Sequence, residues 1–173
     1  RIYKDLAADV YFYTDGPRVI EERNSADTVL ATYVFGDWID EVLTMTRGGT
    51  TYYYSQQALS SVAYISDASG GNVEKMQYDA FGSPKFFHWV GSWNAVSSSQ
   101  IGNPFAFTGR EWDSDTKSYY YRARHMDPLH GRFTTRDPLE FDTLLNQYTH
   151  VLNRPTGWVD PLGLASKEAE EWV

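Results

Sequence analysis

Asp137 in Arg136-Asp137-Pro138 and Asp160 in Val159-Asp160-Pro161 are carboxylates whose type and setting could do chemistry. They stand 23 residues apart, and each precedes a proline, which holds the aspartate backbone extended and out of helix. A carboxylate with so little backbone freedom can be aimed. Two carboxylates that share one proton can divide acid and base work: one activates a water while the other protonates a carbonyl or a leaving amine. Like charges held close do not both ionise, so such a pair titrates as a unit. Asp-Pro is also ordinary turn chemistry, and that reading stands beside the catalytic one.

Few other residues compete for a reactive role. The 173-residue chain has no Cys, which excludes disulfides, thiol nucleophiles and thiolate metal sites. His88, His130 and His150 show no metal-ligand spacing with acids, and His125 is a lone histidine beside Arg124. No metal and no cofactor are expected. The triplets Tyr52-Tyr53-Tyr54 and Tyr119-Tyr120-Tyr121 suit strands better than base or sugar stacking. A net charge of -8 argues against binding a phosphate backbone, which needs a basic field. No apolar run reaches membrane-spanning length, and no signal peptide is recognised. A chain that begins with Arg1 is expected to be a piece of a longer one.

The elements that must position the two acids read as short strands between turn signals. Aromatics make up 16% of the chain, which favours pleated sheet. DVYFYT and RVIEER flank Asp15-Gly16-Pro17 as a hairpin; ATYVF, EVLTMTR and TYYYSQ follow. SVAYIS and NVEKMQYD flank Asp67-Ala68-Ser69-Gly70-Gly71, with Val62 and Tyr64 expected on one face. Residues 90–103 read as loop, PFAFTG and SYYYRAR as strands. Helix is plausible only from Glu140 to Leu152 and in the last nine residues. Turn glycine, Tyr and Asp recur at a loose period of about 20 residues, most sharply in Tyr78-Asp79-Ala80-Phe81-Gly82. Such units bury their apolar face only by stacking on neighbours, so open sheet edges are expected.

Three stretches, YVFGDWIDEVLTMTRGGTTYYY, SSVAYISDASGGNVEKMQYDAFGSP and NPFAFTGREWDSDTKSYYYRARHMDPLHGRFTTRDPLEF, lead into PTGWVDPLGL. Together they resemble, collinearly from about Tyr33 to Leu164, the core associated with rearrangement-hotspot (Rhs) repeats. Related YD-repeat shells occur in bacterial toxin-complex C subunits and in teneurins. The closing pattern is Pro, four residues, Asp-Pro, one residue, Gly-Leu, and it is matched without a gap.

The resemblance implies an all-β strip of hairpin repeats forming part of a hollow shell, with a C-terminal plug containing a short helix. It implies repeat strands over 1–90, a loop over 91–103, the core and plug over 104–164, and the start of a variable cargo region over 165–173. It also implies self-cleavage between Leu164 and Ala165, with Asp137 and Asp160 as the acids and Arg124, 13 residues before Asp137, as the essential arginine. Asp127 and Arg132 fall in the same pattern as supporting residues, Asp127 more as a turn cap. Trp158, Pro161 and Leu162 are expected to anchor the segment upstream of the cut. His125 and Met126 depart from the aromatics usual there.

The function so implied is a bacterial, secreted or surface-borne shell that encloses a toxin and releases it by single-turnover aspartyl cleavage. Its partners would be the upstream repeats, its own C-terminal cargo and a delivery component, with no nucleic acid and no membrane span. Two alternatives remain: a structural YD segment that never cuts, and a stand-alone carbohydrate-binding β module.

Overall fold

The computed structural model describes residues 2–3, 9–139, 146–164 and 167–168. Ten strands between Ile2 and Val96 form one antiparallel sheet in which strand order is sequence order. Its strands are β1 (Ile2–Tyr3), β2 (Val10–Asp15), β3 (Arg18–Asn24), β4 (Val29–Phe35), β5 (Val42–Arg47), β6 (Thr50–Gln56), β7 (Val62–Ser66), β8 (Asn72–Tyr78), β9 (Pro84–Trp89) and β10 (Trp93–Val96). The sheet is open, with β1 and β10 at its edges.

One turn chemistry repeats along the strip. The side-chain oxygen of Asn24 accepts the amides of Ala26 (3.0 Å) and Thr28 (2.9 Å). Asp67 does the same for Ser69 (2.9 Å) and Gly71 (3.2 Å), and Asp79 for Phe81 (3.0 Å) and Ser83 (2.9 Å). In each turn the main-chain carbonyl of the Asn or Asp also accepts the amide three residues on. That third residue is left-handed: Asp27 (φ 60°), Gly70 (82°) and Gly82 (88°). A short polar side chain followed by a residue that tolerates positive φ is enough to reverse the strand.

Ala31, Tyr33, Val42, Met45, Val62, Ile65, Met76 and Phe86 form the buried face of the strip. Segment 103–109 crosses this face, and the Phe105 ring meets Tyr33, Phe35 and Tyr54 edge-on at 5.1, 5.6 and 6.3 Å. Buried Glu74 ties down the approach to it, accepting from Ser99 Oγ (2.9 Å) and from the amides of Gln100 (2.5 Å) and Ile101 (3.2 Å). A second, four-stranded sheet follows: β11 (Glu111–Asp113), β12 (Ser118–Tyr121), β13 (Arg124–Asp127) and β14 (Arg132–Phe133). Last, β15 (Trp158–Val159) pairs with β16 (Lys167–Glu168).

The structure corrects several expectations. Trp93–Val96, inside the expected loop 91–103, is a strand; it pairs with β9 and sets Trp93 against Trp89 at 5.3 Å. PFAFTG is not a strand: Phe107–Gly109 is a 3-10 turn with Thr108 left-handed, and only Phe105 bridges to Glu111. SYYYRAR is two strands, because Arg122-Ala123 is a two-residue turn with Arg122 at φ 61°. Tyr64 faces away from the core at 41% exposure, and Ile65 replaces it inside. A bulge is the cause: Ser55 pairs with Tyr64 and Gln56 with Val62, so Ala63 is extra and the alternation changes phase. Of the expected helix over 140–152, residues 140–145 lie outside the described residues, and Val151–Asn153 is a 3-10 turn. Lys167–Glu168 is extended rather than helical, and the rest of the last nine residues lie outside the described residues.

Candidate functional site

Arg124 opens β13 directly after the two-residue turn, Asp137 follows β14, and Asp160 follows β15. These three side chains meet. Arg124 Nη2 lies 2.8 Å from Asp137 Oδ2 and 3.3 Å from Asp160 Oδ2. One nitrogen therefore bridges both acids. Arg124 Nε donates to the Gly163 carbonyl (2.6 Å) and Nη1 to the Gln147 carbonyl (3.2 Å), and the guanidinium lies over the Phe133 ring at 3.6 Å. Burial lowers the pKa of this guanidinium, opposed by the charges of Asp137 and Asp160. An arginine stays charged even so.

The two acids differ in surroundings. Asp160 is 1% exposed. Its Oδ1 accepts the amide of Leu164 (3.1 Å), and its main-chain carbonyl accepts the amide of Gly163 (3.4 Å). With Gly163 at φ 67°, these are the bonds that the Asp67 and Asp79 turns make to the residues three and four further on. Asp137 keeps 19% of its side chain exposed; its Oδ1 accepts the Leu139 amide (3.0 Å), and its own amide donates to Gln147 (3.1 Å). One acid thus grips the backbone next to the expected cut, and the other keeps access to solvent. Leu164 is half-buried, and Ala165 lies outside the described residues.

The supporting residues sit apart from this pair. Asp127 caps its own turn, accepting from Leu129 (2.9 Å) and His130 (3.3 Å), with His130 Nδ1 at 2.6 Å from its second oxygen. Arg132 is exposed, opposite Asp127 in the β13–β14 ladder. His125 is half-buried beside the Tyr120 ring at 5.4 Å. The expected anchors change as well. Pro161 is buried, but Trp158 is only half-buried, and Leu162 is 41% exposed. Backbone carbonyls hold the segment instead: Ala123 donates its amide to Leu162 (3.2 Å) next to the Arg124–Gly163 bond. The sequence marks no role for Asp40, Arg110 or Arg122, and singles out His150 only to reject it as a metal ligand; all four lie near this turn. Only the Arg122-Ala123-Arg124 pattern at a tight turn offered a signal for any of them.

His150 is buried between Tyr121 (5.1 Å) and Phe133 (5.3 Å). Burial first, then the charges of Arg124 and Arg110, lowers its pKa from 6.5 to about 3. The unfolded chain therefore takes this proton first, so the contribution to stability is full above the unfolded value and is lost as pH falls toward the folded one. Between pH 6 and 5 the expected loss approaches about 1.4 kcal/mol per unit. Denaturant unfolding across that window should show the slope in the parent and a flatter line in His150→Phe. Equal slopes would remove His150 from the account.

No protein-family profile matches the chain. It is 34% identical over 170 residues to the tRNA3(Ser)-specific nuclease WapA of Bacillus spizizenii, covering 94% of this chain and 7% of that protein. It is 32% identical over 167 residues to the probable deoxyribonuclease RhsA of Dickeya dadantii, covering 93% of this chain and 10% of that protein. The double-stranded DNA deaminase toxin A of Burkholderia cenocepacia is 29% identical over 144 residues, 83% of this chain and 10% of that one. The relatives of this chain include an Rhs protein and proteins named as toxins. Among solved structures, the TcdB2-TccC3-Cdc42 crystal structure matches 91% of this chain and 8% of that one, with a TM-score of 0.65 at 20% identity. That likeness shows the fold: the open strip with its small second sheet is a stretch of the same all-β architecture. The chain spans only 7–10% of the length of these three relatives.

Proposed function

We propose that this chain is the closing part of an Rhs-type shell, which encloses a C-terminal toxic cargo and frees it by cutting its own backbone after Leu164. The observation that carries the reading is the convergence of Asp137, Asp160 and the Leu164 amide on Arg124 and its turn. Asp137, open to solvent, takes a proton from a water that attacks the Leu164 carbonyl carbon. Asp160 holds the Leu164 amide, and the proton taken up from the water by the acid pair passes to the amine of residue 165 as the C–N bond breaks. Arg124 aligns the segment through the Gly163 carbonyl and offsets negative charge as it develops. The chain supplies its own substrate, so no separate substrate pocket is required.

The nuclease and deaminase activities named for the relatives belong to far longer proteins, and activity of that kind is assigned here to the cargo rather than to this chain. Upstream repeats would complete the shell, a delivery component would carry it, and action outside the producing cell is expected. One observation favours a non-cleaving structural segment instead. Asp160 Oδ1 holds the Leu164 amide, Oδ2 pairs with Arg124, and the Arg124 guanidinium holds the Gly163 carbonyl, as in a static clamp. Intact mass of the purified full-length protein separates the readings. Two pieces divided after Leu164 support cleavage; a single chain under native, folded conditions supports the clamp.

A further inference from the structure

A second set of charges joins the repeat strip to the closing segment, and the reading above does not use it. Asp40 lies in the loop between β4 and β5, 6% exposed and left-handed at φ 62°. Its two oxygens take different arginines: Oδ2 accepts from Arg110 Nη2, and Oδ1 from Arg122 Nη2 at 2.5 Å. Arg110 is buried against the Tyr121 ring at 5.0 Å. The other terminal nitrogen of Arg122 donates to the Pro161 carbonyl. Three successive carbonyls, of Pro161, Leu162 and Gly163, are thereby held by three successive residues of the turn, Arg122, Ala123 and Arg124. Arg124 also touches the acid pair. Arg122 takes its aim from Asp40, and Asp40, Arg110, Tyr121, Asp160 and Pro161 line one cleft. The loop that carries Asp40 is seated hard, since a Cβ on Gly109 would come within 2.2 Å of the Asp40 carbonyl oxygen.

We propose that Asp40 is a positioning residue for the cut after Leu164. Through Arg122 it sets the register in which Pro161–Leu164 lie on the β12–β13 turn, so the bond is presented only once the β4–β5 loop of the strip is in place. The inference rests on the cleavage reading. A buried charge cluster can also serve stability alone, so the test must move something that a stability role would not.

The test uses the full-length protein and follows the fragment ending at Leu164 by mass spectrometry after synthesis. Asp40→Asn and Arg122→Gln should each slow its appearance by about tenfold or more, since small misplacements of a reacting bond carry costs of that order. The double variant should be no slower than the slower single one, because both break one path. Amide exchange, read in uncleaved Asp137→Asn protein, supplies the second arm. Adding Asp40→Asn should raise exchange at residues 121–124 and leave the β7–β8 hairpin unchanged. Cleavage at the parent rate in Asp40→Asn overturns the proposal while Asp160→Asn still reports on the cleavage reading itself. A rise in exchange across the whole strip also overturns it, by making Asp40 a stability residue. If the parent stays in one piece, the cleavage reading fails, and with it the positioning role.

Discussion

Asp160→Asn should leave the full-length protein in one piece, and Asp137→Asn should do the same. Asn keeps the shape of Asp and, at position 160, an oxygen that can still accept the Leu164 amide now held at 3.1 Å. The turn should therefore survive. What disappears is the proton-carrying group, since an amide neither gives nor takes a proton in this range. Loss of one general acid or base slows a reaction by about 10²–10⁴. For an event that happens once per chain, that factor turns complete processing into almost none. The packing around Arg124 should hold in either variant, because the remaining carboxylate still pairs with the same nitrogen. Intact mass after timed incubation checks the rate, and circular dichroism checks the fold. A fragment ending at Leu164 that forms at the parent rate in either variant removes that acid from the chemistry.

Gly163→Ala should stop cleavage almost as completely, without touching a charged group. Gly163 sits at φ 67°, where an L side chain is strained by about 1–2 kcal/mol. The larger obstacle is contact: an added Cβ would lie 2.2 Å from the Tyr121 carbonyl oxygen and 3.3 Å from the Arg124 amide. Both atoms are backbone of a tight hairpin and cannot swing aside as a side-chain end would. The segment must lift off the turn, and the bonds to the Leu162 and Gly163 carbonyls go with it. Leu162→Ala is the matched control, because that side chain is largely exposed and should be cut normally. Equal processing of Gly163→Ala and the parent would show that docking on this turn does not govern the cut.

The sequence made legible those features whose bonds are local. Asp67 and Asp79 turn the chain by bonding amides two and four residues on, so Asp followed by Gly was a reliable mark. Trp93–Val96 was missed because its strand rests on a cross-strand contact with Trp89, while the serines and glycine around it read as loop. The orientation of Tyr64 was missed because one extra residue in a bulge inverts alternation, and a bulge leaves no mark in composition. Arg124, Asp137 and Asp160 were reached through resemblance; no local pattern joins Arg124 to Asp160 across 36 residues. Asp40 was out of reach altogether, since its partners lie 70 and 82 residues further along.

Because strand order in the strip is sequence order, each strand can find its neighbour as soon as the ribosome has released it. Short-range pairings form fast, and loops that close over long separations come late. Synthesis at about 5–20 residues per second is slow beside hairpin formation, so the strip can assemble while translation continues. The Arg124–Asp160 and Asp40–Arg122 contacts belong to the other class. The Asp40–Arg122 contact can close only after residue 122 has emerged and the Arg124–Asp160 contact only after residue 160, when the strip behind them already stands. Under the proposed self-cleavage, the order of translation would act as a timer, keeping the nascent chain continuous until the strip behind the cut has been built.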